Sequence, residues 1–275
     1  MSYGVTVNKG KADKANAVKG QKVTITADAD TEDEKFDHWE VVKGGVTLDN
    51  AKSHETFFVM PDGEVEVTAV YVKDYNITVN GTNVTNLNKG DILGDGTLCY
   101  DPDAKTLKLN DGKFFNKALT ITAPNDVSID LEADASHVVN GDLIVDGAKD
   151  VTVHKLNGAQ NNEMASNTVE GKIEITCTGT VSLKNLNGSY SWGRNLSNGL
   201  IVHNAGSVET EGFISGETAI KCTGNVKLGN DYGTTVSKLK VLDANDVTVT
   251  SGSNNCSVSQ GVEIKCTGAV NISNT

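Results

Sequence analysis

Apolar and polar residues alternate with a period of two through most of this chain, in short runs separated by turn-forming residues. Seven runs align on one valine each: Val127, Val151, Val181, Val208, Val226, Val247 and Val270. Six residues before each valine stands a β-branched residue, from Ile121 and Val145 through Ile175, Val202, Ile220 and Val241 to Ile264. Eight before, the set is Leu119, Leu143, Ile173, Leu200, Thr218, Leu239 and Val262; two after, it is Ile129, Val153, Leu183, Thr210, Leu228, Val249 and Ile272. Alternation of this kind in two short strands is the mark of half-buried β-structure, and its recurrence marks a repeat architecture. Apolar spacing of two rejects amphipathic helices.

The two strands of each repeat are joined by a corner of constant length. Two before each valine come Asn125, Lys149, Gly179, Gly206, Gly224, Asn245 and Gly268. Gly and Asn tolerate a left-handed backbone, so a sharp left-handed corner is expected there, with Lys149 the exception. A third short strand is expected at Phe115, Val139, Val169, Leu196, Ile214 and Val258, with Val236 one residue out of phase. Three strands per turn predict a parallel β-helix of about seven rungs over residues 115–275, right-handed by expectation, each rung about 4.8 Å above the last.

Residues 74–114 read as a lead-in. Val79-Asn80-Gly81-Thr82 signals a hairpin, and Leu107 and Leu109 fall where an incomplete first rung would align with Val127 and Ile129. Residues 1–73 form short strands of their own: Val5/Val7, Val23/Ile25, Val41, Val46/Leu48, Phe57/Val59 and the strictly alternating Val65/Val67/Ala69/Tyr71. Phe36 and Trp39 are the bulky core candidates, a sugar platform being the alternative for Trp39. The fold class is therefore all-β throughout.

Within that first segment, Ala17-x-x-Gly20-x-x-Val23-Thr24-Ile25-Thr26-Ala27, then Phe36-x-x-Trp39, then Phe58-Val59-Met60-Pro61-Asp62-Gly63 and Val65–Tyr71 resemble the divergent internalin B-type repeat of Gram-positive surface proteins. The resemblance implies a small all-β spacer on an extracellular protein, with no catalytic residue. The stretch Gly94-Asp95-Gly96-Thr97-Leu98-Cys99-Tyr100-Asp101-Pro102-Asp103-Ala104-Lys105-Thr106-Leu107-Lys108-Leu109-Asn110 resembles the opening of β-helical, carbohydrate-binding-annotated regions in Firmicutes surface proteins. Together these imply an extracellular, cell-surface location.

Charge narrows the partners. The net charge is −12, and Arg194 is the one arginine among 24 basic residues. Nucleic-acid recognition needs a basic footprint, so it is excluded as a partner class. No apolar run is long enough to insert in a membrane. The five cysteines, Cys99, Cys177, Cys222, Cys256 and Cys266, have no CxxC or Cys/His spacing, so no metal site is expected from them. Cys177, Cys222 and Cys266 recur at one corner position two rungs apart, too far for a disulfide, and are expected as free, buried fillers.

β-Helices can carry polysaccharide-cleaving sites, so the outward positions matter. One row reads Asp130, His154, Lys184, Glu211, Gly229, Thr250, Ser273; the other reads Ser128, Thr152, Ser182, Glu209, Lys227, Thr248, Asn271. Neither row puts two carboxylates on adjacent rungs, and a mixed-sign ladder that merely decorates a sheet is expected. His154 and His203 are expected on different faces. Asp95, Asp101, Asp103 and Asp111 are weak calcium candidates whose spacing fits no EF-hand loop; acidic turn residues are the plainer reading. No cofactor is expected.

The excursion Asn187–Asn195 holds Tyr190, Trp192, Arg194 and Asn195. An aromatic face beside Arg and Asn donors is the chemistry of a sugar site. The reading is a non-catalytic surface fragment that binds a polysaccharide or host glycan; a bare stalk and a lyase- or glycosidase-like enzyme are the alternatives. The chain begins in a strand and stops at Asn271-Ile272-Ser273-Asn274-Thr275 inside a repeat, so a longer polypeptide or end-to-end self-association through the uncapped last rung is expected.

Overall fold

The computed structural model describes residues 1–31, 34–110, 113–133, 137–156, 167–185, 195–230, 235–251 and 257–274. It is all-β: the described residues form 29 strands and no helix. The chain divides into two compact units. One is Met1–Asp74 with Thr85–Leu87; the other is Tyr75–Val84 with Asn88–Thr275.

The first unit pairs a four-stranded sheet with a three-stranded one. In the larger sheet the central strands Ser2–Asn8 and Val65–Val72 run parallel, although most pairings in the unit are antiparallel. Trp39 is buried at the centre, and its indole N–H donates to the Ser53 carbonyl at 3.1 Å. A core tryptophan needs such a partner, because an orphaned indole N–H would forfeit a hydrogen bond to water. Phe36 packs beside it, half-buried, with ring centroids 5.8 Å apart. The strand expected from Phe57 and Val59 has the opposite phase. Antiparallel pairing of Val23 with Phe58 turns Phe58 and Met60 inward, leaving Val59 exposed and Phe57 under the Lys22 ammonium. Val46 and Leu48 pack against the core from outside any strand.

The second unit is built on two nine-stranded sheets that are largely parallel. Each pass of the chain gives one strand to each. The first sheet contains Leu119–Thr122, Leu143–Asp146, Ile173–Thr176, Leu200–Ala205, Glu217–Cys222, Lys238–Ala244 and Val262–Cys266. The second contains Ser128–Ala133, Val151–Lys155, Thr180–Asn185, Ser207–Glu211, Val226–Asn230, Val247–Ser251 and Val270–Asn274. Both begin with hairpins from the lead-in. Asp74–Val79 and Thr82–Thr85 turn through Asn80 (φ 48°) and Gly81 (φ 79°), and Leu98–Asp101 pairs antiparallel with Thr106–Leu109. The third face is discontinuous: single bridges join Phe115, Val139 and Val169, and two further two-stranded pairings lie at Asn195–Ser197/Phe213–Ile214 and Thr235–Val236/Ser257–Val258.

In the first sheet, the seven positions from Ile121 to Ile264 pair in the expected register. In the second sheet Val127 is displaced. Val151 pairs with Ile129, and the stack runs Ile129, Val151, Val181, Val208, Val226, Val247, Val270. Leu107 likewise pairs with Ile129 and not with Val127. The first corner is two residues longer than the others because the Val127 amide closes a turn onto the Pro124 carbonyl at 3.1 Å. A slip of two keeps every side chain on its face, so Val127 remains buried outside the stack.

The corner glycines serve a different purpose from the one expected. None of Gly179, Gly206, Gly224 or Gly268 has positive φ. They are glycines because the previous pass lies against them. A Cβ on Gly224 would sit 2.2 Å from the Gly206 carbonyl oxygen, and one on Gly179 would sit 2.3 Å from Asp150 Oδ1. Lys149 escapes this constraint at the start of the stack, where its amide bonds the Val127 carbonyl on the longer first corner. Carboxylates complete the corners: Asp150 and Asp246 accept the amides of Thr180 and Ala269 on the following pass, each at 2.7 Å.

Small residues fill the inner side of this corner in alternation: Ala148, Cys177, Ala205, Cys222, Ala244 and Cys266. The Ala205 and Ala244 passes carry register shifts against neighbouring strands. Cys177 and Cys222 are free and buried, and burial pushes the Cys177 thiol up to about 11. Cys266 is free but half-exposed, since its strand is the edge of the sheet. Cys256 lies outside the described residues.

Candidate functional site

The residues proposed from sequence for sugar contact fall largely beyond description. Tyr190, Trp192 and Arg194 lie outside the described residues; Asn195 opens the short strand Asn195–Ser197. The residues that flank them are described. The long connections leave the second sheet after Ala133, Lys155 and Asn185, which are stacked partners on adjacent strands. The chain then returns at Val139, Val169 and Asn195–Ser197 on the third face. The long connections therefore start from one end of the second sheet's strands, whereas the other end keeps its tight corners.

The acidic lead-in residues act as turn caps. Asp95 accepts from the Thr97 amide at 3.0 Å and from its hydroxyl; Asp101 accepts the amides of Asp103 and Ala104 at 3.0 and 3.1 Å. These hydrogen bonds hold both carboxyls below their usual range, the Thr97 hydroxyl leading for Asp95 and the Ala104 amide for Asp101. Asp111 lies outside the described residues. Among the described residues no three His, Cys, Asp or Glu side chains are grouped to hold a metal ion.

The two-residue slip rearranges the outer face of the second sheet. Asp130 leaves the row expected for it and joins Thr152, Ser182, Glu209 and Lys227; Glu132 replaces it beside His154, Lys184 and Glu211. His154 Nδ1 is 3.0 Å from Glu132 Oε1, and Nε2 is 3.1 Å from Ser182 Oγ. A carboxylate only accepts, so Nδ1 carries the proton, and in the neutral ring Nε2 accepts from the Ser182 hydroxyl. Glu132, His154 and Ser182 thus have the connectivity of a carboxylate, a base and a nucleophile. Ser182 lies on a strand paired on both sides, which directs its amide into the sheet and not toward a substrate oxyanion.

Asp130 adds a partly buried carboxyl to this face. Its Oδ1 is shielded from solvent and has no hydrogen-bond partner. Burial pushes the carboxyl up, helped by Glu132, while His154 and Lys108 oppose the shift. Three passes further on, Glu209 bridges Lys227 at 3.1 Å and Lys184 at 3.7 Å, and the Lys227 bond draws its carboxyl down. His203 stands on the first sheet, 2.8 Å from Glu174, apart from His154. Sequence reading found His154 and Ser182 as outward residues. It paired His154 with the wrong carboxylate because the alternation is the same before and after the slip.

Residues 3–75 match the divergent InlB B-repeat domain family, a family typical of bacterial surface proteins. No curated protein and no solved structure matches the chain.

Proposed function

We propose that this chain is an extracellular, surface-attached fragment in which the B-repeat unit is a spacer. In this reading the two parallel sheets and the third-face pairings wind as a right-handed β-helix of about seven rungs, and that helix displays a glycan-binding edge. The observation that carries the reading is the stacking of connection points at Ala133, Lys155 and Asn185 on one edge. Connections that start side by side suit an extended polysaccharide, and the sequence of one of them, Tyr190–Asn195, carries aromatic, guanidinium and amide chemistry. Binding needs no cofactor. A glycan array tests it: the protein should retain a polysaccharide or host glycan, and Trp192→Ala should abolish retention without moving the melting temperature. A blank array would leave the stalk as the function.

Exposed apolar side chains on the last strands favour a further partner surface. Val262, Val270 and Ile272 are 52%, 46% and 58% exposed. Another pass of a longer chain or the end of a second copy would cover them. Sedimentation velocity should show self-association of this chain; a strict monomer would remove the second possibility.

The Glu132–His154–Ser182 hydrogen bonds favour one alternative, a polysaccharide-cleaving enzyme. Release of reducing ends that is lost in Ser182→Ala would establish it; no release from any polysaccharide the protein retains would remove it.

A further inference from the structure

One buried pair is not accounted for by stalk or by glycan edge. Most inward positions of the second unit are aliphatic, yet Lys155 is 1% exposed and Asn185 is 0% exposed. They are direct partners on adjacent parallel strands, Val151–Lys155 and Thr180–Asn185. Partner Cα atoms in such a ladder are about 4.8 Å apart, and both side chains point into the same interior. A lysine stem, with four methylenes, easily spans one strand spacing to reach the carboxamide carbon of its partner.

The surroundings suit chemistry between them. Burial disfavours the charged form of an amine and so favours the neutral one, which is the nucleophile. Burial draws the Lys155 amine below its ordinary value, and Glu170 is the charge opposing that shift. Glu170 also acts on His137, so its charge is felt by both groups. The sequence sharpens the contrast: Lys155-Leu156-Asn157-Gly158 and Asn185-Leu186-Asn187-Gly188 differ as sequences only in the residue that is lysine in one and asparagine in the other.

We propose that Lys155 and Asn185 join in an intramolecular isopeptide bond that staples two successive passes of the second sheet. The neutral Nζ attacks Asn185 Cγ, a C–N bond forms, and the bond from Cγ to the amide nitrogen breaks. One amine proton ends on the departing nitrogen, which leaves as ammonia. No oxidant or co-reactant is needed. Such a staple would tie the sheet at the edge where the long connections insert, and so brace it against load on that edge.

Intact mass spectrometry of the denatured full chain tests this. The wild-type chain should be lighter than its sequence mass by one ammonia, and Lys155→Met and Asn185→Ala should each restore the full mass. Proteolysis of the wild-type chain should release one branched peptide joining the two segments. Succinimide formation at an Asn-Gly pair such as Asn198-Gly199 also loses ammonia, but it would survive in Lys155→Met. A wild-type chain at full sequence mass, or a deficit that persists in Lys155→Met, overturns the proposal.

Discussion

The two units use β-structure in opposite ways. The first gathers distant strands around a single centre, with Trp39, Phe58 and Met60 inside and Trp39 tied to Ser53 by its indole. The second has no centre. Its core is a set of rows in which each aliphatic side chain packs mainly on its counterpart one pass away. A centred core concentrates its stability in a few large side chains. A stacked core spreads it over many small ones and depends on how closely the backbone passes can approach.

Mutations should separate these two designs. Trp39→Ala should have the largest effect, about 3–5 kcal/mol lost from the first unit alone, read as one early melting transition with the second unit's transition in place. Gly224→Ala should cost the second unit about 1–3 kcal/mol, because the new Cβ meets the Gly206 carbonyl. Gly4→Ala, with nothing within 4 Å of its Cβ, should cost far less. Equal losses from the two alanines would show that close approach is not what selects glycine at the corner.

A smaller effect in the opposite direction is expected at Thr218. Its side chain replaces the aliphatic residue of its row, and its hydroxyl is buried with no partner. Thr218→Val should raise the unfolding free energy of the second unit by about 1 kcal/mol, read in denaturant titration; a loss would mean the hydroxyl is satisfied.

The smallest effect depends on pH. The Asp130 carboxyl is raised above 3.8 in the folded chain, so that chain holds its proton to higher pH than the unfolded chain does. The stability from this difference is fully present below the ordinary value and is lost as pH rises through the folded one. Asp130→Asn should therefore melt higher than wild type at neutral pH, with the gap closing in acid. A gap that does not change with pH would assign the effect to packing.

Most of the second unit was legible in its alternation. Leu119 to Val262 and Ile121 to Ile264 pair as the pattern aligned them, because period two is dictated locally by the geometry of a strand. The placement of Trp39 in a core was legible too, from its size in so short a unit. Less of the candidate site could be read. The outward positions of His154, Ser182 and Glu209 follow from alternation, but their neighbours do not.

What alternation cannot encode is an even shift. Moving Ile129 into the place expected for Val127 leaves all faces unchanged, yet it removes Asp130 from His154 and puts Glu132 there. The same blindness covers the corners, where a glycine that yields to a neighbouring carbonyl is written with the same letter as one that turns left-handed. The sequence by itself determined which residues face inward, because that is a property of single strands. Only the tertiary structure decided which residues meet across passes, because the register depends on the length and closure of turns such as Pro124–Val127.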